Sequence, residues 1–324
     1  SNSIYEKGPN IVVIGGGIAG MTATLSALQN GIKNILLIEK EDEFGGVLNQ
    51  CIHNGFGKSY LGEEVTGPEF IEFIKIKLSK HEFDKKKKTS VLNISKEKII
   101  TYVNEKEGVC DVEAKAIILA TGCRERYTGN VLTSTSGFTG VFTIGNAHRF
   151  INFEGMLPGK NPVIVANNRW ALILARRLEI EGGKVSAIII NEDNIFKFTD
   201  ENKEILEGFD IDILENTKLV DVYGNKRINK VKVFNEKTNE IREIECDSLF
   251  LSVGYYPELG MVKNLNIKID ENINTPYVDN YQTSEDGIFA CGNIIYGKKC
   301  IEMKDINGFD AGFVASNYIH NISK

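Results

Sequence analysis

Short apolar runs alternate with amphipathic segments from residue 10 onward, which is the pattern of an α/β protein with parallel sheets. Buried strands are predicted at residues 11–14, 35–38 and 115–119, where nearly every residue is apolar. A helix is predicted over residues 66–80, with Thr66 as its cap and Pro68 in its first turn. A second helix, from about residue 307 to 319, closes the chain.

The strand–helix–strand pattern occurs twice, first over residues 11–38 and again over about 161–192. Short strands are predicted between residues 220 and 250. The fold expected is α/β, with two Rossmann-like three-layer nucleotide-binding domains, the second inserted into the first. The discontinuous first domain is predicted to comprise residues 1–155 and 273–324, and the inserted second domain residues 156–272.

Composition narrows the function classes. The chain has 324 residues, 42% of them apolar, and a net charge of −6, so it can bury two cores and has no general affinity for nucleic acid. No apolar run approaches the roughly 20 residues of a transmembrane helix. The six cysteines form no C-x-x-C, which excludes a thioredoxin-like redox pair and makes a metal site unexpected. With no secretory leader visible, a cytoplasmic location is expected.

The first strand leads into a G-x-G-x-x-G fingerprint formed by Gly15, Gly17 and Gly20. These glycines permit a tight turn, the approach of a pyrophosphate to the backbone, and close packing of helix on strand. The helix that begins near Ile18 would hold the pyrophosphate at its positive end. Glu39 ends the second strand 19 residues after Gly20, where a partner for ribose hydroxyls is needed. The first unit is therefore predicted to bind a dinucleotide.

Three further segments favour FAD over NAD as that dinucleotide. They are the glycine pair at 45–46, the small turn at 120–122, and the strand and turn at 287–293. A ligand contacted from so many distant segments must be long and extended, as FAD is.

These residues resemble the two-dinucleotide-binding-domain flavoproteins of the pyridine nucleotide–disulfide oxidoreductase superfamily, over nearly all of residues 10–320. Segments 45–57, 123–126 and 289–293 are similar to the branch that contains the flavoprotein subunits of sarcosine oxidase, opine oxidase and hydrogen cyanide synthase. The resemblance implies FAD, with Asn293 standing where the superfamily usually has Asp. The cofactor-binding residues expected are Gly15, Gly17, Ile18, Ala19, Gly20, Glu39, Lys40, Gly45, Gly46, Val47, Ala120, Thr121, Gly122, Gly292 and Asn293.

The second fingerprint has lost its glycines. Ala166, Asn168 and Ala171 stand at the three glycine positions, of which only the third commonly accepts alanine. A left-handed backbone at the other two would cost about 1–2 kcal/mol per residue, and the Asn168 side chain would lie in the path of the pyrophosphate. An acid for a ribose remains, because the next strand ends in residues 191–193, Asn-Glu-Asp. NAD(P)H is thus a doubtful ligand, and the alternative is a domain kept as a scaffold or partner surface.

Two catalytic candidates follow the glycine pair, Cys51 and His53, which the resemblance places close to the flavin ring. His53 is able to exchange a proton near neutral pH, or it only hydrogen-bonds a tight turn. Cys51 is either a nucleophile or a packed small residue. No cysteine stands between residues 124 and 245, so disulfide reduction by a dithiol relay is not expected.

The function expected is that of an FAD-dependent oxidoreductase that passes electrons between a small reductant and a partner protein or other acceptor, without a redox disulfide. One alternative is an FAD-bearing subunit or pseudoenzyme whose second domain is an interaction surface. Another is an NAD(P)H-dependent flavin dehydrogenase with an altered nucleotide loop, in which Arg169 contacts a phosphate. The partner is a small-molecule substrate or an electron-transfer protein, and homo- or hetero-oligomers are both open.

Overall fold

A computed structural model describes most of the chain: residues 8–46, 54–56, 61–127, 131, 134–155, 157–190, 192, 196–297 and 307–324. The chain divides into two compact units. Unit 1 consists of Ser1–Arg124 and Tyr255–Lys324, and unit 2 is the intervening Glu125–Gly254.

The helices, in chain order, are α1 (Ile18–Gln29), α2 (Gly67–Leu78), α3 (Ile144–Glu154), α4 (Arg169–Ile180), α5 (Asp200–Ile205) and α6 (Gly308–Ile322). The strands are β1 (Ile11–Ile14), β2 (Ile35–Ile38), β3 (Asn54–Phe56), β4 (Val65–Thr66), β5 (Asp84–Lys86), β6 (Ser90–Ile94), β7 (Ile99–Asn104), β8 (Gly108–Glu113), β9 (Ala116–Leu119), β10 (Cys123–Tyr127), β11 (Val141–Thr143), β12 (Pro162–Ala166), β13 (Ala187–Ile190), β14 (Ile213–Glu215), β15 (Thr217–Gly224), β16 (Ile228–Asn235), β17 (Ile241–Glu245), β18 (Ser248–Leu251), β19 (Val253–Pro257), β20 (Ile269–Asp270), β21 (Thr275–Pro276) and β22 (Ile288–Ala290).

Unit 1 is built on a five-stranded parallel sheet with the order β22-β9-β1-β2-β5. The sheet is buried on both faces, because alternate residues of a strand point to opposite sides. Ile11 and Val13 pack with apolar residues of α1, α2 and α6. Val12 and Ile14 pack with residues of the antiparallel β6-β7-β8 meander. Helices, sheet and meander are the three predicted layers.

Unit 2 repeats this architecture around a parallel sheet with the order β11-β18-β12-β13-β14. Ile164 and Ile188 pack against α3 and α4 on one face. Val163 and Val165 pack against the β15-β16-β17 meander on the other face. The predicted fold class, Rossmann-like three-layer α/β, is confirmed.

The unit boundaries fall earlier in the chain than the domain boundaries that we predicted at 155/156 and 272/273. Strand β11 pairs with β18, and Ile144 and Ile151 of α3 are part of the unit 2 core. After β19, Leu265 and Ile267 pack in the unit 1 core. The apolar spacing of Ile144, Ala147 and Ile151 suits a helix, but it does not show that this helix packs in unit 2 or that β11 pairs with a strand more than 100 residues later.

A local sequence signal sets the start of helix α2. Helix α2 begins with a capping box, in which the Glu69 amide donates to Thr66 Oγ1 at 3.3 Å and the Thr66 amide donates to Glu69 Oε2 at 2.7 Å. The Thr66 amide lowers the pKa of the Glu69 carboxyl. This confirms Thr66 as the predicted cap.

Asp247 links the strands of unit 2 and makes its stability depend on pH. Its carboxylate accepts hydrogen bonds from the amides of Lys160 and Asn161 at 2.7 and 2.9 Å and from the Ser248 hydroxyl at 2.8 Å. Burial raises the pKa of Asp247, but these hydrogen bonds outweigh burial and leave the pKa below its ordinary value.

Replacing Asp247 with asparagine is expected to lower the free energy of unfolding by about 1 kcal/mol at pH 7. A carboxylate with a lowered pKa stabilises the fold fully above its unfolded pKa, and this contribution disappears as the pH falls through the lowered folded value. Urea denaturation between pH 7 and pH 3 should therefore show the variant and the parent converging in acid. The same change at the exposed Asp200 is the control. A constant difference at every pH would contradict the assignment.

Candidate functional site

The turn from β1 into α1 requires glycine at two positions for reasons of packing alone. Gly15 has a φ of 107°, and a Cβ on it would lie 2.1 Å from the carbonyl oxygen of Ala120. A Cβ on Gly20 would lie 1.7 Å from the carbonyl oxygen of Gly15. These two glycines therefore bring α1 close to the ends of β1 and β9.

Gly17 differs, because the fold does not require a glycine there. Its φ is −72°, and a Cβ on it would meet only the Gly46 Cα, at 3.8 Å. Gly17 is the N-cap residue of α1, and no side chain of the described residues caps this helix. The amides of Ile18 and Ala19 therefore begin a helix whose positive end faces open space, which is the arrangement that binds an anion.

Glu39 lies at the end of β2 with its carboxylate held in place. The Gly16 amide donates to Oε1 and the Glu41 amide to Oε2, both at 2.8 Å. The residue is only 8% exposed. A fixed carboxylate beside a fingerprint turn suits the hydroxyls of a ribose. The neighbouring Lys40 is exposed.

The glycine pair predicted to approach the ligand lies against the fingerprint turn. Gly45 donates to the Gly16 carbonyl at 2.8 Å and forms a parallel bridge with Gly17. A Cβ on Gly46 would lie 3.1 Å from the Gly17 Cα. The open space beside Gly17 is therefore bordered by a second stretch of small-residue backbone.

The turn after β9 makes two contacts with segments far along the chain. Thr121 Oγ1 donates to the Glu258 carbonyl at 2.8 Å, so this hydroxyl ties the turn to the chain that returns after β19. Cys123 Sγ donates to the carbonyl of Asn293 at 3.3 Å. Gly122 has a φ of 71°, and a Cβ on it would meet no atom within 4 Å. The segments around 120–123 and 292–293, far apart in sequence, are thus brought together.

Asn307 organises the Gly292–Asn293 turn, and the sequence analysis did not identify it. Its Oδ1 accepts from the Gly292 amide at 2.7 Å, and its Nδ2 donates to the Tyr296 hydroxyl at 3.1 Å. Asn307 is only 6% exposed. The only sequence signal was its place just before the closing helix, which we interpreted as a helix start.

Replacing Asn307 with alanine is expected to leave the Gly292 amide without its buried acceptor, which costs about 1–3 kcal/mol. We expect a lower melting temperature and a severalfold weaker retention of flavin, measured by absorbance after dialysis. The exposed Asn317 of α6, changed to alanine, is the matched control. Equal flavin retention in both variants would show that Asn307 does not shape the site.

The two predicted catalytic residues, Cys51 and His53, lie outside the described residues, as does the predicted cofactor contact Val47. Their roles stay predictions.

In unit 2, the turn from β12 into α4 lacks the left-handed backbone that we expected at Ala166 and Asn168. Asn168 is extended, with a φ of −153°, and neither Ala166 nor Asn167 has a positive φ. The prediction of a left-handed backbone was wrong, because the turn closes without one. Asn168 Oδ1 accepts from the Ala171 amide at 3.0 Å, so its side chain caps α4.

The same turn holds an unsatisfied polar atom. The Asn167 amide donates to Ser252 Oγ at 3.2 Å, but Asn167 Oδ1 is buried and has no hydrogen-bond partner among the residues that the structure describes. An unpaired buried acceptor costs about 1–3 kcal/mol and calls for an explanation. A ligand with an N–H or O–H donor at this turn would satisfy it. No sequence pattern indicated this atom.

The predicted acid at the end of β13 is present. The register pairs Ala166 with Ile190, so the chain leaves the sheet beside the start of α4, and Glu192 follows two residues later. Glu192 Oε1 accepts from the Phe198 amide at 2.9 Å, and Lys197 Nζ lies 3.8 Å from Oε2. Arg169 is exposed in the first turn of α4.

Within the part of the chain that the structure describes, no group of histidine, cysteine and acidic residues could hold a metal ion. None of the described helices has the length and apolarity to cross a membrane.

Two Rossmann-like units, one with a helix start that no described side chain caps and a fixed acid beside it, define a protein of the nucleotide-binding class. The chain belongs to the pyridine nucleotide-disulphide oxidoreductase family, whose description matches residues 9–310. This confirms the predicted superfamily and the expectation of an FAD-dependent oxidoreductase.

Individual proteins match the chain over nearly its whole length but at low sequence identity. The chain is 25% identical to a thioredoxin reductase of Borreliella burgdorferi, over 97% of this chain and 92% of that protein. It is 25% identical to a ferredoxin–NADP reductase of Picrophilus torridus, over 96% and 93% of the two chains. The structure of a bacillithiol disulfide reductase from Bacillus cereus has the same fold, with a TM-score of 0.75, 16% identity, and coverage of 98% of this chain and 100% of that chain.

These relatives refine two of the expectations. They are reductases named for thioredoxin and ferredoxin, and they do not single out the sarcosine oxidase branch. One of them has NADP in its name, so the relatives do not support our doubt about nicotinamide nucleotides.

Proposed function

We propose that this protein is an FAD-dependent oxidoreductase that accepts a hydride from a nicotinamide nucleotide and passes the electrons to a partner protein or another acceptor. The observation that carries the proposal is the uncapped start of α1, with open space at Gly17 and the fixed carboxylate of Glu39 beside it. When bound, FAD supplies the two-electron chemistry. The chain itself binds and orients the cofactor.

The residues of unit 1 fit FAD in separate roles. The amides at the start of α1 would hold the pyrophosphate, and Glu39 would accept hydrogen bonds from the ribose. The small turns after β9 and β22 would border the rest of the cofactor. The residues proposed to line the site are Gly15, Gly17, Ile18, Ala19, Gly20, Glu39, Lys40, Gly45, Gly46, Val47, Ala120, Thr121, Gly122, Gly292 and Asn293.

Unit 2 is proposed to bind the nicotinamide nucleotide at the turn between β12 and α4. The unsatisfied Oδ1 of Asn167 supports this, because a ligand donor would pair with it. The matched ferredoxin–NADP reductase supports the ligand class. Asn168 opposes tight binding, since its side chain already accepts from an amide at the start of α4 that would face a pyrophosphate. We therefore expect a nucleotide that binds weakly rather than one that is excluded.

Electrons are proposed to leave without a disulfide relay, in contrast to what the family name suggests. The sequence has no C-x-x-C. Burial raises the pKa of Cys291 to about 12, and burial likewise raises the pKa of Cys246 to about 12. Both thiols are therefore protonated and unreactive at neutral pH. Cys51 and His53 stay the candidates for chemistry near the flavin, and the cytoplasm is the location that we propose.

A second candidate function rests on Asn168. Because this residue caps α4 with its own side chain, unit 2 could have lost its nucleotide and serve as an interaction surface of an FAD-bearing subunit. The two functions differ in one observable, reduction of the bound flavin by a nicotinamide nucleotide.

The test is an anaerobic titration of the purified, FAD-loaded protein with NADH and with NADPH, following the flavin absorbance. Stoichiometric bleaching by at least one nucleotide is the expected result. Dithionite is the control, because it reduces an accessible flavin without a nucleotide site. Bleaching by dithionite but by neither nucleotide would overturn the proposed function and favour the subunit.

A further inference from the structure

We infer that Glu192 makes unit 2 select NADH over NADPH, an inference that rests on the proposed use of a nicotinamide nucleotide. NADPH differs from NADH only by a phosphate on the 2′ oxygen of the adenosine ribose. In Rossmann-like units an acid at the end of the second strand pairs with the free hydroxyl, whereas an arginine accommodates the phosphate. The charge of the side chain at the end of β13 therefore determines which of the two nucleotides binds more tightly.

The structure places the carboxylate of Glu192 at the end of β13 and holds it in position. Ile190 pairs with Ala166, so the chain that continues to Glu192 leaves the sheet next to the turn that opens α4. The Phe198 amide holds Glu192 Oε1 at 2.9 Å. The side chain remains 42% exposed, so it is accessible to a ligand.

Among the described residues, the two lysines near this end of β13 already have other partners. The sequence has no arginine between residues 178 and 226. Lys197 lies 3.8 Å from the Glu192 carboxylate, and Lys203 lies over the ring of Phe198 at 5.5 Å. Arg169 is in the first turn of α4, where it would meet the pyrophosphate, which both nucleotides share.

The first test measures binding without hydride transfer. We would titrate FAD-loaded protein with ADP-ribose and with 2′-phospho-ADP-ribose by calorimetry, since the filled flavin site cannot accept either compound. The parent should bind ADP-ribose at least about tenfold more tightly, because a like-charge approach is unfavourable. In Glu192→Gln, which keeps an acceptor for the Phe198 amide, the preference should shrink severalfold.

Glu181→Gln is the matched control. It removes one negative charge from an exposed residue at the opposite end of α4, about 18 Å along a 12-residue helix. This variant should keep the preference of the parent. A parent that binds the phosphorylated compound equally well or better would overturn the inference, as would an equal shift in both variants.

The second test compares the rates of anaerobic flavin reduction by NADH and NADPH, and it separates the two proposals. A preference for ADP-ribose without flavin reduction by either nucleotide would sustain the role of Glu192 and overturn the proposed function. Faster reduction by NADPH would sustain the function and overturn the role of Glu192. Binding of neither compound, without reduction, would overturn both.

Discussion

Replacing Gly17 with valine is expected to empty the FAD site while unit 1 stays folded. The backbone of Gly17 is extended, with a φ of −72°, which valine adopts readily, and a Cβ would touch only the Gly46 Cα at 3.8 Å. The added methyl groups would instead fill the space in which the pyrophosphate meets the start of α1. Each hydrogen bond lost to a charged group is worth about 1.5–3 kcal/mol.

Loss of two such hydrogen bonds would weaken FAD binding by at least about a hundredfold, because 1.4 kcal/mol corresponds to a factor of ten. The measurement is the flavin absorbance of the purified variant and its titration with added FAD, beside circular dichroism for the fold. Gly15→Ala is the contrasting variant, since its Cβ would lie 2.1 Å from the Ala120 carbonyl oxygen and should disrupt the fold itself. A folded Gly17→Val protein that remains yellow would show that the pyrophosphate does not bind here.

The contrast between these glycines shows what the sequence could predict. The fingerprint identified all three positions and the acid at Glu39, because strand, turn and helix follow one another in fixed order. It also assigned them separate roles, with the approach of a pyrophosphate at Gly17 and close packing at Gly20. It could not show that Gly46 and Ala120, which lie far along the chain, are the residues packed against Gly17 and Gly15.

Contacts of this long-range kind also explain what the sequence did not predict. Asn307 accepts a hydrogen bond from Gly292, 15 residues earlier, and its identity alone does not reveal that partner. Strand β11 joins unit 2 by pairing with β18, more than 100 residues later. Apolar runs identified β1, β2 and β9 of one sheet and β12 and β13 of the other, but not β5, β11 or β14. Strand order and unit boundaries follow from pairings that periodicity does not contain.

The two fingerprint turns differ in whether a side chain accepts a hydrogen bond from the first amides of the helix. In unit 1 none of the described side chains caps the helix start, and Gly17 offers no side chain. In unit 2, Asn168 accepts from the Ala171 amide, and the turn reaches this state without a left-handed residue. Backbone strain was the wrong reason to doubt a nucleotide in unit 2. A pyrophosphate at this turn would have to displace the capping side chain of Asn168, which can be removed by one substitution.

Replacing Asn168 with glycine is therefore expected to tighten nicotinamide nucleotide binding by about tenfold or more. The variant frees the Ala171 amide, and a charged pyrophosphate gains about 1.5–3 kcal/mol from each such hydrogen bond. The loss of the cap costs little, since glycine in place of asparagine at an N-cap lowers stability by only a few tenths of a kcal/mol. The concentration of NADH that half-reduces the flavin in an anaerobic titration should fall accordingly.

Asn168→Ala is the matched control, because it also removes the cap but keeps a Cβ at the position where the pyrophosphate must approach. If the obstacle is the space that the side chain occupies, affinity should increase in the order asparagine, alanine, glycine. If Asn168→Gly binds nucleotide no better than the parent, or more weakly, the capping side chain is not the obstacle. The unoccupied acceptor of Asn167 would then need a ligand other than a dinucleotide to explain it.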